Sequence, residues 1–408
     1  MESIRIKQST TNHILVWVIV LITAGANEIT TWNSTMVIAM FLTLFVFISR
    51  GKKIDNAFIY FSIVYFLIFS IHVFKFGYVD LREAREYIKI FYAYIFIKLV
   101  YKDLLKHYTD IIYKLALISL PLYVLQLIDY QMMKSVIGII EHHISFLDYR
   151  EDWYENLFVF TLNDQGMYRN SGFAWEPKGF GTFLTLAFFF QLILNNFKFF
   201  EKKNIVYLIA IATTLSTATY SIFLLGVVLF YLYNQPSSTK IFTSIFLVPL
   251  IVIAFTQLDF MEKKILYEYE TKDKYTKYVT DTTYKGASRS LGRFGSFLVD
   301  YKDILKEPLT GYGLFSEERT RYSVMGVKLV HVNGFSDLMA KMGFGGLFFY
   351  IIFLFYSFKQ IQKRFNFKGY FIIPTSILIT SFGSAILLTP LYLALFCYGM
   401  IKKENNDT

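Results

Sequence analysis

Apolar runs approaching the thickness of a bilayer recur from residue 13 to residue 401, and nothing else in the chain constrains its fold as strongly. A helix needs ~20 apolar residues to cross ~30 Å of hydrocarbon, because each residue advances only ~1.5 Å. Of 408 residues, 55% are hydrophobic and only 18% charged, too few charges to coat a soluble domain of this size. The spacing predicts an all-α polytopic membrane protein of about twelve transmembrane helices. The spans fall near residues 13–26, 34–48, 57–73, 87–100, 111–127, 179–194, 205–215, 220–233, 241–256, 335–355, 371–388 and 391–401.

The formal net charge is +10, yet the basic residues stand in clusters between apolar runs and not on one stripe, so nucleic acid is not an expected partner. With a cytoplasmic N-terminus, the clusters at 50–53, 102–106, 198–203, 240, 359–368 and 402–403 all fall on the cytoplasmic side. Both termini are then cytoplasmic, and two long loops, 129–175 and 257–333, lie outside. The second carries thirteen Lys and Arg against eleven Asp and Glu, a near balance. Within it Leu291, Phe294, Leu298, Tyr301 and Leu305 recur at helical spacing. That stripe suits an amphipathic helix on the membrane surface, or one packed inside its own loop domain. The single cysteine, Cys397, excludes an internal disulfide framework and any cysteine-rich metal site. No cleavable signal peptide is evident, and the first span is expected to act as the membrane signal.

The polar residues that could carry chemistry gather at the loop ends. Residues 169–181, RNSGFAWEPKGFG, close the first loop and open the sixth span. They supply a cation (Arg169), a carboxylate (Glu176), a helix-starting proline (Pro177) and glycines, of which Gly172 lies in the turn. Downstream, Arg289 and Arg293 precede His331, Asn333 and Asp337 at the mouth of the tenth span. Arginines suit a phosphate because the planar fork binds it bidentately. Each residue also has a structural reading: Arg169 snorkelling to lipid, His331 capping a helix, Glu176 and Asp337 favouring helix N-termini. Arg319 and Arg321 beside Glu317 and Glu318 read as a solvated charge run. The chain has no Walker A loop, no Asp-x-Asp pair and no dinucleotide fingerprint, and His142-His143 lacks metal-site spacing. No cofactor and no metal are expected.

Three segments, RNSGFAWEP, LGRFGSFLVDYKDILKEPLTGYG and HVNGFSDLMAKMGFGG, resemble in that order motifs of bacterial O-antigen and capsule polymerases of the Wzy type. The related O-antigen ligases share the later two. The likeness covers mainly residues 169–348. It includes Arg169, Gly172, Glu176, Pro177, Arg293, Pro308, Gly311, Gly313, His331, Asn333 and the run Gly343-Phe344-Gly345-Gly346. Val332 separates His331 from Asn333, where many relatives join the two directly.

The resemblance implies a GT-C-like, metal-independent glycosyltransferase of the bacterial cytoplasmic membrane. Its donor is a growing glycan on undecaprenyl pyrophosphate, its acceptor a repeat unit on the same carrier lipid, and the reaction is external. Arg169 and Arg293, with Arg289, are then expected to neutralise the pyrophosphate. His331 is the first choice of general base and Glu176 the second, while Tyr168, Gly172, Pro177, Asn333 and Asp337 support the site. A chain-length regulator and a flippase are the further partners it implies. The nearest rival is a ligase that transfers to lipid A core. The rival of another class, a transporter or oligosaccharide flippase, fits less well because the longest loop is external and few spans contain a cation.

Overall fold

The computed structural model describes residues 2–26, 28–31, 33–143, 154–163, 168–234, 289–290, 293–314, 319, 329–330 and 332–402. The expected ninth span, residues 257–288 and His331 lie outside them. In chain order the first elements are α1 (Glu2–Ala24), α2 (Glu28–Thr31), α3 (Asn33–Ser49), α4 (Asn56–Phe76), α5 (Leu81–Val100), α6 (Leu104–Ile128) and α7 (Tyr130–His143). A hairpin, β1 (Tyr154–Asn156) and β2 (Thr161–Asn163), precedes α8 (Pro177–Leu194), α9 (Lys202–Thr213) and α10 (Thr217–Asn234). Then come β3 (Arg289–Ser290), α11 (Arg293–Lys306), β4 (Leu329–Val330), α12 (Gly334–Phe365), α13 (Ile372–Ser381) and α14 (Pro390–Cys397), closed by a 3-10 turn at Tyr398–Met400.

The chain divides into two compact units, one of residues 1–52, 95–236 and 362–373, the other of 53–94, 237–361 and 374–408. In the first unit α8 is buried along almost its whole length and packs against α6, α9 and α10. Pro177 starts it, with Glu176 extended at the cap, because a first-turn proline removes an N–H that has no helical partner. In lipid an apolar side chain gains little by leaving its surroundings, so close ring packing has to hold such a helix. Phe188 and Phe189 of α8 meet Phe223 of α10, with centroids 4.9 and 6.4 Å apart. Gly226 of α10 leaves the room that the Phe189 ring occupies.

In the second unit α4 buries only Phe58 and His72. Phe74, Leu67, Tyr60 and Ile63 all stand exposed on it, an apolar surface that water does not tolerate at this extent. Among the described residues five helices are long and apolar enough to cross a membrane: Asn56–Phe76, Leu104–Ile128, Pro177–Leu194, Thr217–Asn234 and Gly334–Phe365. Shorter apolar helices cover Gln8–Ala24, Asn33–Ser49, Ile372–Ser381 and Pro390–Met400. The chain is thus a largely helical membrane protein with fewer full-length spans among the described residues than the twelve expected. The expected seventh span is α9, whose twelve residues reach only about 18 Å. The eleventh stops at Ser381 and gives way to turns before Pro390.

One helix was not expected at all. α7 lies in the first loop and buries Met133 and Ile137 against Phe160 and Leu162 of the hairpin region. Its signal was Tyr130, Met133 and Ile137 at spacings of three and four.

Candidate functional site

Two strands of two residues bring the downstream candidates together within the second unit. β3 and β4 pair in parallel, with Arg289 opposite Leu329 and Ser290 opposite Val330. A few residues beyond each strand a helix begins, α11 at Arg293 and α12 at Gly334. The two starts are tied to one another. The Val332 N–H donates to Ser296 Oγ (3.1 Å), and Asn333 Nδ2 donates to the Arg293 carbonyl (3.4 Å). Asn333 Oδ1 also accepts the Ser336 N–H (3.1 Å), which caps α12. Arg289, Arg293 and Asn333 are therefore neighbours through their backbones, with His331 in the chain between β4 and Asn333. Two helices thus start side by side, and the positive end of a helix dipole favours negative charge. Such a corner attracts an anion.

Beneath this corner lies a buried ionic cluster. Arg319 is 1% exposed and donates to Asp300 of α11 (2.8 Å), Asp337 of α12 (2.9 Å) and Asp303 (3.4 Å). Lys341 pairs with Asp337 at 2.6 Å, and Ser336 Oγ donates to Asp300 at 2.6 Å. Burial alone would lower the Arg319 pKa; the three carboxylates, Asp337 foremost, reverse that and hold it above its ordinary value. The solvated charge run expected around Arg319 is therefore corrected: its guanidinium is the pin that locks α11 to α12. Asp337 accordingly has an anchoring role. The missed signal was Asp300 and Asp303, three residues apart on α11, opposite its apolar stripe.

That stripe is also assigned its face. Phe294, Tyr301 and Leu305 are 45%, 44% and 62% exposed, whereas Ser296, Asp300 and Asp303 are buried. The helix turns Ser296, Asp300 and Asp303 inward together with Val299 and Ile304, and leaves Phe294, Tyr301 and Leu305 outward.

The glycine motifs meet at a break in α12. Gly343 has φ 64° and ψ −176°, which no helix contains, so the carbonyls before it and the N–H groups after it lose their helical partners. The turn at residues 308–313 gives four of these groups new partners. Tyr312 and Gly313 donate to the Ala340 and Lys341 carbonyls (3.1 and 2.7 Å), while Phe344 and Gly345 donate to Pro308 and Leu309 (2.7 and 3.2 Å). Irregular backbone is tolerated at membrane depth only where protein satisfies it in this way. A Cβ on Gly311 would sit 2.6 Å from the Ala340 carbonyl oxygen, and one on Gly343 would collide with the Leu309 carbonyl.

In the first unit, the RNSG segment is clamped to the α9–α10 turn. Arg169 Nε donates to the Thr214 carbonyl (3.1 Å), and the Asn170 N–H to that of Thr213 (3.0 Å). Asn170 Nδ2 reaches Thr213 Oγ1 (2.9 Å), and its Oδ1 accepts the Gly172 N–H (2.9 Å). Gly172 has φ 48° and lies against the Phe180 ring, which leaves no room for a side chain. Tyr168 stacks on Tyr130 with centroids 5.0 Å apart, and its carbonyl accepts from the Tyr123 hydroxyl (3.1 Å). Glu176 is half-buried and makes no side-chain cap to α8. Tyr168, Arg169, Gly172, Glu176 and Pro177 thus form one local structure in the first unit. Arg289, Arg293, Asn333 and Asp337 form another in the second.

The chain matches no protein-family model, and no curated protein or solved structure matches it either.

Proposed function

We propose that the chain is a membrane-embedded polysaccharide polymerase, which passes a growing glycan from a prenyl pyrophosphate to a lipid-linked repeat unit. The observation that supports this reading best is the corner of the second unit. There Arg289 and Arg293, about forty residues upstream of His331 and Asn333 in the sequence, share a ladder and a capping bond with the residues that flank His331. A pyrophosphate seated there would meet Arg293 and the starts of two helices, groups that stabilise charge as it develops on a leaving group.

In this reading the acceptor hydroxyl oxygen attacks the anomeric carbon, and His331 takes its proton. The bond from that carbon to the pyrophosphate oxygen breaks, and the pyrophosphate leaves with the electron pair. Asn333 positions the His331 segment through its bonds to Arg293 and Ser336. The pyrophosphate is an activated leaving group, so the reaction asks for no nucleotide triphosphate.

The test uses purified protein, undecaprenyl-pyrophosphate-linked repeat units and a chelator, with products separated on a gel. A ladder of lengthening glycan is expected. Arg293→Ala should lower its rate by about a hundredfold or more, the loss typical of removing one charge-stabilising donor. Transfer only to a lipid A core acceptor would turn the reading to ligase. Export of intact lipid-linked units without elongation would turn it to a flippase.

A further inference from the structure

Two histidines from different helices meet in the first unit. His13 of α1 and His107 of α6 lie edge to face, with ring centroids 5.2 Å apart and their Nδ1 atoms at 3.3 Å. A third residue decides which ring gives the proton. The indole of Trp17, one turn further along α1, donates Nε1–H to His13 Nε2 (3.2 Å). An indole nitrogen can only donate, so His13 Nε2 carries no hydrogen. A neutral His13 then bears its proton on Nδ1 and donates it to His107 Nδ1. His107 in turn has its proton on Nε2. The donors run one way, from Trp17 to His13 to His107.

Each ring has one basic nitrogen, and both are already in use as acceptors. An added proton therefore cannot enter without ending a bond. If the rings stay joined, one Nδ1 donates and the other accepts, and the charged pair has hydrogen on both Nε2 atoms. His13 Nε2–H then faces the indole N–H, and Trp17 has to let go. In exchange the bond between the rings becomes charge-assisted, and so shorter and stronger. His13 is half-buried, within reach of protons from water. Asp103 and, on α6, Lys106, Asp110 and Lys114 act on the pair through their charges. Arg50, beyond α3, reaches Asp103 through Asn12, and Lys203 of α9 pairs with Asp110 at 2.5 Å. The carboxylates favour a charged pair and the cations oppose it.

We propose that His13, His107 and Trp17 form a proton switch, in which the two rings take up one shared proton and release the indole. The neutral state holds Trp17 against α1; the charged state frees Trp17 and ties α1 more firmly to α6. These residues belong to the first unit and none is part of the Arg293 corner, so the proposal does not rest on the polymerase reading.

The test is solid-state NMR of the full chain in lipid bilayers, with 15N in histidine and tryptophan, between about pH 8 and about pH 5, where histidine ordinarily titrates. His13→Gln, His107→Gln and Trp17→Phe assign the signals. At the upper pH His13 should carry its proton on Nδ1, against the preference of free histidine for Nε2. On acidification the His13 ring and the Trp17 indole should change with one midpoint, the indole losing its hydrogen-bonded shift. Trp17→Phe removes the competitor for His13 Nε2, so the pair should take up its proton about half a pH unit or more higher, the equivalent of one ordinary hydrogen bond. An Nε2 proton on His13 at the upper pH would overturn the proposal. So would an indole that ignores the titration of His13, a pair that takes up no proton in this range, or a midpoint that Trp17→Phe leaves in place. If Trp17→Phe does not fold, the joint titration of His13 and Trp17 in the unaltered chain decides.

Discussion

A guanidinium as fully withdrawn from water as that of Arg319 has to be neutralised by its neighbours, and here three aspartates do so. Removing it leaves those carboxylates facing one another in a dry site. Arg319→Ala should therefore destabilise the second unit by about 3–5 kcal/mol, the usual result of breaking a buried ion pair from one side. The measurement is the unfolding midpoint in detergent, and an unchanged midpoint would deny Arg319 its role as a pin. The sequence hides this role because Arg319 stands among Glu317, Glu318 and Arg321, while its partners lie 16 to 19 positions away. Charge density along a chain reports solvation only when no distant partner exists. Arg169 precedes α8, as the sequence suggests, but its bond to the Thr214 carbonyl depends on a turn between two helices that no local pattern announces.

At the scale of elements, α11 and α12 show where periodicity informs and where it stops. The spacing of Phe294, Leu298, Tyr301 and Leu305 announces a helix correctly, but a period cannot say which side has a partner. Here the side with Ser296, Val299, Asp300, Asp303 and Ile304 does. The outward rings of Phe294 and Tyr301, with Leu305, should rest against lipid. A fluorescent label on Leu305→Cys should be quenched by lipids carrying doxyl groups near the interface, whereas quenching only by aqueous iodide would place that face in water. Selective labelling is practical because the sole native thiol, Cys397, is buried. The break in α12 gives a graded test. Gly343→Ala carries both a cost of about 1–3 kcal/mol for a backbone conformation open essentially to glycine alone and a collision with the Leu309 carbonyl. Gly345→Ala meets only the Leu309 carbonyl oxygen, at 2.9 Å. The midpoint should fall further for Gly343→Ala; the reverse order would mean that the break is not what the 308–313 turn supports. The motif glycines were visible in the sequence. Their shared purpose was not, because the hydrogen bonds join segments some thirty residues apart.

For the molecule as a whole, hydropathy found the apolar segments reliably and their helix ends poorly. It weighs composition, whereas α9 and α13 end where the backbone turns, as at Leu215 with φ 46°. The orientation read from the basic clusters can be checked across α8, which is about 27 Å long. A cysteine at Tyr168 should react with an impermeant maleimide in intact cells, and one at Phe200 only in inverted vesicles. The opposite pattern would invert the topology. One more consequence follows from the knot of backbone bonds between residues 308–313 and 340–345. It fixes both ends of the intervening stretch, so that stretch behaves as a closed ring attached to the membrane frame. Closure entropy grows only logarithmically, with each doubling of length costing about 0.6 kcal/mol. Insertions of very different length between residues 320 and 329 should therefore cost little stability.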